Sequence, residues 1–426
     1  MPRFNFRLIF GLGLILLGAA GLVVIVLFMV MRFRPSAPAD QAGGGVGALP
    51  GIGEGPSGQI QEEGEGGLPG ISGQEGVDSG QGVGTGISDQ GSGISAVAQG
   101  GKTAAQVVVD GFPVSATVSP SGGVNYYDAG EYKFYTTSAD GTKRLLSDEE
   151  FFGVSDVVWS PQGDSALIQH VDGTTEWYEF TRKRRAVLPR DVVDPGFRPD
   201  GQAIGYKLDT VNADDNWVVV SSPDGSAARA VQALGAKGGQ VDVAWSPDNK
   251  IVALFRESRG IDREEVFFIG LEGENFRSLD VQGSLFEGRW SPDGGKILYH
   301  TVLAGDGYRP NLWVAEAGAG GVRRQFSLGL RTWVDRCAFS GDSRRVYCAV
   351  PQSLPEGAGL VKETARGIGY DVWLADTATG RTELLAVPVR DDDGGQIIDI
   401  RRLELSPDGN WLFVHTWSRV YRIRLR

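Results

Sequence analysis

Seven times between Val118 and Asn410 the chain passes through one short turn, and that repeat constrains the fold more than any other feature of the sequence. The copies are VSPSGG at Val118, WSPQGD at Trp159, FRPDGQ at Phe197, WSPDNK at Trp245, WSPDGG at Trp290, FSGDSR at Phe339 and LSPDGN at Leu405. They lie roughly 40 to 65 residues apart, a period that marks radial or stacked repeats. Pro presets φ for the first corner of a type I turn, and Ser and Asp side chains bond the turn's own backbone. Strand-like runs flank each turn, as in VVWS followed by SALIQ and RWS followed by KILYH.

A third run with its own aromatic follows each later hairpin: EWYEF (176–180), NWVVV (216–220), EVFFI (265–269), NLWVA (311–315), DVWLA (371–375) and RVYRI (419–423). Weaker fourth runs follow some of these, RAVLP (185–189) and TELLAV (382–387) among them. SSPDGS at 221–226 follows a third run and reads as an outer hairpin turn. A four-stranded sheet cannot bury both faces alone, but packed radially against its neighbours it can, and that arrangement is a β-propeller. The last copy is followed by only one further strand-like run after its hairpin, while AQVVVD (105–110) precedes the first copy unassigned. Pairing these ends would remove an exposed sheet edge. The expected fold class is therefore all-β, a seven-bladed β-propeller over 105–426 closed by an N-terminal strand.

Two different segments precede it. After a short flank (1–7), residues 8–31 carry no charge, and 24 residues exceed the roughly 20 needed to span a bilayer. Arg32 and Arg34 follow at once, so the segment reads as a retained transmembrane anchor rather than a cleaved leader. The flanking charges are nearly symmetric, with a slight lean to the N-terminus inside. Residues 32–104 form a Gly-rich acidic linker that buries too little apolar surface to offset chain entropy. Its span is roughly 45 Å by random-coil scaling. The chain carries −12, of which −7 lies in 36–104 and +4 in the anchor region, leaving −9 on 105–426. An acidic globular part argues against nucleic acid and against docking on anionic lipid.

No G-x-S-x-G elbow, H-E-x-x-H pair or P-loop occurs, so no catalytic residue, metal site or cofactor is assigned. His170, His300 and His415 share one repeat position at the end of the second strand, but in separate blades too far apart for one metal, and a structural role fits them better. DDDGG at 391–395 lacks the alternating ligands of a calcium loop and reads as a solvated turn. Cys337 and Cys348 fall opposite each other across the sixth hairpin; a cross-strand disulfide and two buried thiols both fit that placement. The second-to-third loops are long at 207–215, 256–264, 301–310 and above all 351–369. They share one face with the inter-blade connections, and loops on a rigid scaffold are where binding residues sit. Arg256, Arg259, Arg309, Lys362 and Arg366 are the candidate partner-binding residues.

The turn motifs, WSPDGGKILYH with NLWVAE above all, resemble the TolB-type β-propeller repeat over 105–426. The likeness weakens at Phe339, where Pro is missing, at Phe197, where Arg198 replaces Ser, and at Val118, where the turn lacks Asp. The resemblance implies a propeller, and among its members are periplasmic envelope proteins that bind partner proteins; it implies no catalytic residue. Prolyl oligopeptidase-like enzymes carry the same repeats before an α/β-hydrolase domain, whereas this sequence ends with its last blade. The expected function is a single-pass, membrane-anchored extracytoplasmic module at the cell membrane that binds a protein or an envelope polymer. The rival readings are a lyase or hydrolase with its site at the axial mouth, and a cytoplasm-facing scaffold.

Overall fold

The computed structural model describes residues 93–316, 322–390 and 398–426. The transmembrane segment expected at 8–31, the linker as far as 92 and the acidic turn at 391–395 lie outside the described residues. Among the described residues no helix is long and apolar enough to cross a membrane.

Each turn copy closes as its chemistry requires. The amide of the fourth turn residue donates to the carbonyl of the first in all seven, from Gly122 to Ser119 through Gly409 to Ser406, at 2.7–2.9 Å. That fourth residue is left-handed everywhere, with φ between 58° and 83°; five copies place Gly there, and Asn249 and Ser343 bear the strain in the others. The Ser hydroxyl donates to the Asp carboxylate at 2.6 Å in Ser246–Asp248, Ser291–Asp293 and Ser340–Asp342. The departures substitute rather than abolish this contact. Arg198 donates to Asp200 at 2.8 Å, and Ser119 meets Ser121 at 2.8 Å.

Among the described residues the strands form five four-stranded sheets and one eight-stranded sheet. The five run in sequence order from Pro113–Val118 to Arg324–Ser327. The third runs read from the sequence are strands Thr175–Glu179, Trp217–Ser221, Arg263–Gly270, Pro310–Glu316, Tyr370–Asp376 and Arg419–Arg424. SSPDGS closes an outer hairpin, with Gly225 N–H donating to Ser222. Inner strands touch from Arg402–Leu405 through Pro113–Val118, Val154–Trp159 and Val192–Phe197 to Val241–Val243; Trp290 and Arg289 of Ser284–Trp290 then bond the Ala244 and Cys337 carbonyls on either side, and Cys337–Phe339 touches Arg402–Leu405, so the sheets ring an axis.

The strand Gly101–Asp110 joins the ends. Gln106 pairs with Arg422 and Asp110 with Arg419, antiparallel, as expected from the sequence. Its first half does something the sequence reading did not foresee: Gly101–Ala105 runs parallel to Ala386–Arg390, linking two sheets into the eight-stranded one. Order also starts earlier than 105, since Ser95 bridges Thr103 and Ala98 is buried. Ten residues are long enough to cover the outer edges of two neighbouring sheets, which removes both from solvent.

The core lies between sheets. Phe134 of the first sheet meets Phe151, Trp159 and Phe180 with centroids 4.9–5.6 Å apart. Similar clusters fill other inter-sheet spaces, such as Phe286, Tyr299 and Phe268, or Ile400, Leu412 and Tyr370. Each such side chain contributes roughly 1.5–3 kcal/mol on burial. The motif tryptophans add a latch. Trp159, Trp245 and Trp290 donate their indole N–H to carbonyls of the preceding inner strand, at Ser115, Gly196 and Ala244, over 2.8–3.2 Å.

Candidate functional site

Four residues before the first residue of each turn, near the start of the inner strand, the repeat carries Ser115, Asp156, Asp194, Asp242, Glu287, Arg336 and Arg402. Four consecutive sheets thus present carboxylates and the next two guanidiniums. Backbone bulges aim several of them. The register shifts between Val114 and Thr117, Val193 and Gly196, and Ser284 and Glu287, with positive φ at Ser115, Asp194 and Leu285. The carboxylates are fixed: Asp156 accepts from the Ser115 hydroxyl, and Asp194 accepts from Val243 N–H at 2.7 Å. Asp242 pairs with Arg256 at 3.2 Å, and Glu287 lies 3.6 Å from Lys362. Asp194 and Glu287 keep contact with water, yet surrounding protein dehydrates them and raises both pKa values above the usual carboxylate range.

A cavity of about 590 Å³ opens beside the basic part of this series. Its charged lining comprises Arg336, Lys362, Arg366, Arg401 and Arg402 against Asp156, Asp335, Glu363 and Asp399, five cations against four anions. Arg401 and Arg366 lie over the half-exposed Trp417 ring, at 3.6 and 4.4 Å from its centroid. Arg336 is 6% exposed, stacks on Trp333 and Tyr370 at 4.2 and 4.7 Å, and donates to the Tyr370 hydroxyl. Among the described residues no carboxylate lies within ion-pair distance of Arg336, Arg366 or Arg401, and Arg336 Nε has no partner.

Below the cavity, Glu404 ties the last inner strand to the first. It accepts from Val118 N–H at 2.7 Å and the Thr117 hydroxyl at 3.0 Å, with His415 Nε2 at 3.1 Å and Arg402 at 3.3 Å. Burial alone would raise its pKa; Arg402, His415 and the Val118 amide outweigh that and hold it well below the carboxylate range. His415 is kept neutral, its pKa lowered by burial first and by Arg402 second. The other end of the axis forms a second cavity of about 820 Å³, lined by the turn prolines and by Arg289, which donates to the Cys337 carbonyl at 3.0 Å.

Of the five candidates read from the sequence, the structure brings Lys362 and Arg366 to the cavity. The other three sit elsewhere. Arg256 lies within strand Ile251–Ser258, because the expected loop 256–264 is largely strand and only 259–262 turn. Arg259 pairs with Glu257 and Glu265 at 2.9 and 2.7 Å. Arg309 is spent tying its own loop to the neighbouring one, donating to the Asp306 carbonyl at 3.2 Å and to the Leu354 carbonyl at 2.9 Å. The sequence reading missed Arg336, Arg401, Arg402 and Trp417. The signal for two of them was present, since the charge at the fourth position before each turn is repeat-aligned.

The histidines have three separate settings. His170 meets the Phe152 carbonyl and Glu176, His300 is 2% exposed beside Val334 N–H, and His415 reaches Glu404. Cys337 and Cys348, directly opposed in register, form a disulfide.

No family model matches the chain. Hydrazine synthase of Kuenenia stuttgartiensis is similar in structure with a TM-score of 0.50 at 16% identity, over 74% of this chain and 96% of that one. The β-propeller domain of Cps50 (Swd1) from Myceliophteria thermophila has a TM-score of 0.50 at 10% identity, over 76% and 100%. At such identities the likeness is of fold, and the fold is that of a β-propeller. In sequence, the uncharacterized peptidase YuxL of Bacillus subtilis (strain 168) is 30% identical over 123 residues, 27% of this chain. The chain spans only 18% of that relative's length.

Proposed function

We propose that this chain is a single-pass membrane protein whose propeller, of seven blades closed by Gly101–Asp110, stands outside the cytoplasm and captures a protein or envelope polymer. The blade count takes the eight-stranded sheet as two blades sharing that strand. One observation carries the binding reading: on the face with the long loops, the cavity holds buried Arg336, which makes no ion pair with a carboxylate among the described residues, beside the exposed Arg366 and Arg401. A buried guanidinium without an ion pair, as at Arg336, is costly unless something else pairs with it. The disulfide suits an oxidising compartment, and the uncharged run at 8–31 suits an anchor.

The test is crosslinking of the intact anchored protein followed by affinity capture, with wild type beside Lys362→Glu/Arg366→Glu. Loss of a crosslinked partner in the variant, with unchanged tryptophan fluorescence, supports the reading. Equal capture removes this face from consideration. Protease cleavage of the Gly-rich linker in intact cells supports the outward orientation; protection overturns it.

A further inference from the structure

Resting on the reading of this cavity as a binding site, we infer that it takes a hydroxylated monocarboxylate, a sugar acid, with its carboxylate seated on Arg336 and Arg401. The guanidinium of Arg336 is the first reason. It is 6% exposed, it lines the cavity, and aromatic rings and the Tyr370 hydroxyl hold it in place. Among the described residues no carboxylate lies within ion-pair distance of it, and its Nε has no hydrogen-bond partner. A planar fork held rigid and without an ion-pair partner matches a planar carboxylate.

Net charge is the second. Five cationic and four anionic side chains line the cavity, and His415 is neutral, which leaves one positive charge. A monoanion balances it, whereas a phosphate dianion would overshoot and meet Asp156, Asp335, Glu363 and Asp399 as like charges.

Those same four carboxylates are the third reason. They accept hydrogen bonds, so they favour a ligand whose remaining groups donate, as hydroxyls do. Asp335 holds Lys362 at 2.9 Å through Oδ2 while its Oδ1 has no partner, and Asp399 accepts from Gly367 N–H at 2.7 Å, leaving further lone pairs. Trp417, with Val157, Trp159 and Val420, supplies the apolar part of the wall. At about 590 Å³ the cavity falls within the usual range for small-ligand sites.

Titration calorimetry of the purified full-length chain in detergent tests this with D-glucuronate, D-glucose and inorganic phosphate. Glucuronate should bind, glucose and phosphate should bind at least tenfold more weakly, and Arg336→Gln should weaken glucuronate by tenfold or more. Because Arg336 is buried, Arg401→Gln and Arg366→Gln, at exposed or half-buried positions, serve as second variants; Arg401→Gln should give the same loss. Absence of glucuronate binding, equal binding of phosphate or glucose, or unchanged affinity in Arg401→Gln overturns the inference. Should glucuronate fail while wild type still captures a partner that Lys362→Glu/Arg366→Glu does not, the sugar-acid assignment falls and the broader binding reading stands.

Discussion

Replacing Glu404 by Ala tests whether the ring closes through a buried charge cluster. The carboxylate joins the first and last sheets through Val118 N–H, the Thr117 hydroxyl, His415 and Arg402, at 2.7–3.3 Å. Its removal takes the acceptor from the Val118 amide and leaves Arg402 with only the Ala116 carbonyl and His415 without its carboxylate. Breaking such a cluster costs about 3–5 kcal/mol. Glu404 keeps 22% of its side chain in contact with channel water, so we take the low end, about 3 kcal/mol, or a Tm drop of roughly 6 °C. Urea unfolding of the full-length protein followed by tryptophan fluorescence reads the change. The control is Asp148→Ala, which breaks the Lys183–Asp148 pair at 2.6 Å, whose side chains are 48% and 68% exposed; solvent screening should leave its urea midpoint close to that of wild type. Acid should act on the same cluster. A carboxylate whose folded pKa is depressed stabilises above its unfolded value and loses that contribution as pH falls toward the folded one. The Glu404→Ala penalty should therefore shrink below pH 4.5, the ordinary glutamate value. An Ala variant that unfolds at the wild-type urea midpoint at pH 7 would refute the argument.

Three further outcomes follow from the geometry. His300 titrates at about 3 in the fold against an ordinary 6.5, because burial disfavours its charged form; the unfolded chain then takes up the proton first, so stability should fall by about 2 kcal/mol between pH 6.5 and 5. Differential scanning calorimetry across that range should show the fall, flattened in His300→Gln. Reducing the Cys337–Cys348 bridge, which closes a separation of 11 residues, should lower the urea midpoint by the equivalent of about 2 kcal/mol, with Cys337→Ser/Cys348→Ser matching reduced wild type. Val109→Asp places a carboxylate at a 3% exposed position packed on Phe413 and Val420; it should undo the closing strand, and light scattering should detect association through the freed edges.

The hairpins were written in the sequence because their cause is local. Ser, Pro, Asp and Gly act on backbone within four residues, so even FSGDSR, with Gly341 in place of Pro and Ser343 in place of the fourth-position Gly, forms the turn through Ser340, Asp342 and a left-handed Ser343. The pairing of Gln106–Asp110 with the C-terminal strand was legible from an unmatched strand at each end. Its parallel partner was not, since nothing in AQVVVD or its neighbours encodes which second edge it meets. Loop length misled for Arg256, because a long polar stretch can continue a strand pair as well as interrupt it.

By itself, then, the amino-acid order determined the turns, the alternation of apolar runs and the charge four positions before six of the seven turns, all properties of contiguous residues. Only the tertiary structure decided which of those charges meet. Thr117 and Glu404 lie 287 positions apart and become hydrogen-bonded neighbours when the ring shuts, and the same closure gathers Arg336, Arg366, Arg401 and Trp417 around one cavity. The physical reason is that the repeat sets an identical backbone path in every sheet, while the identity of the site depends on which differing side chains that path carries to a shared axis.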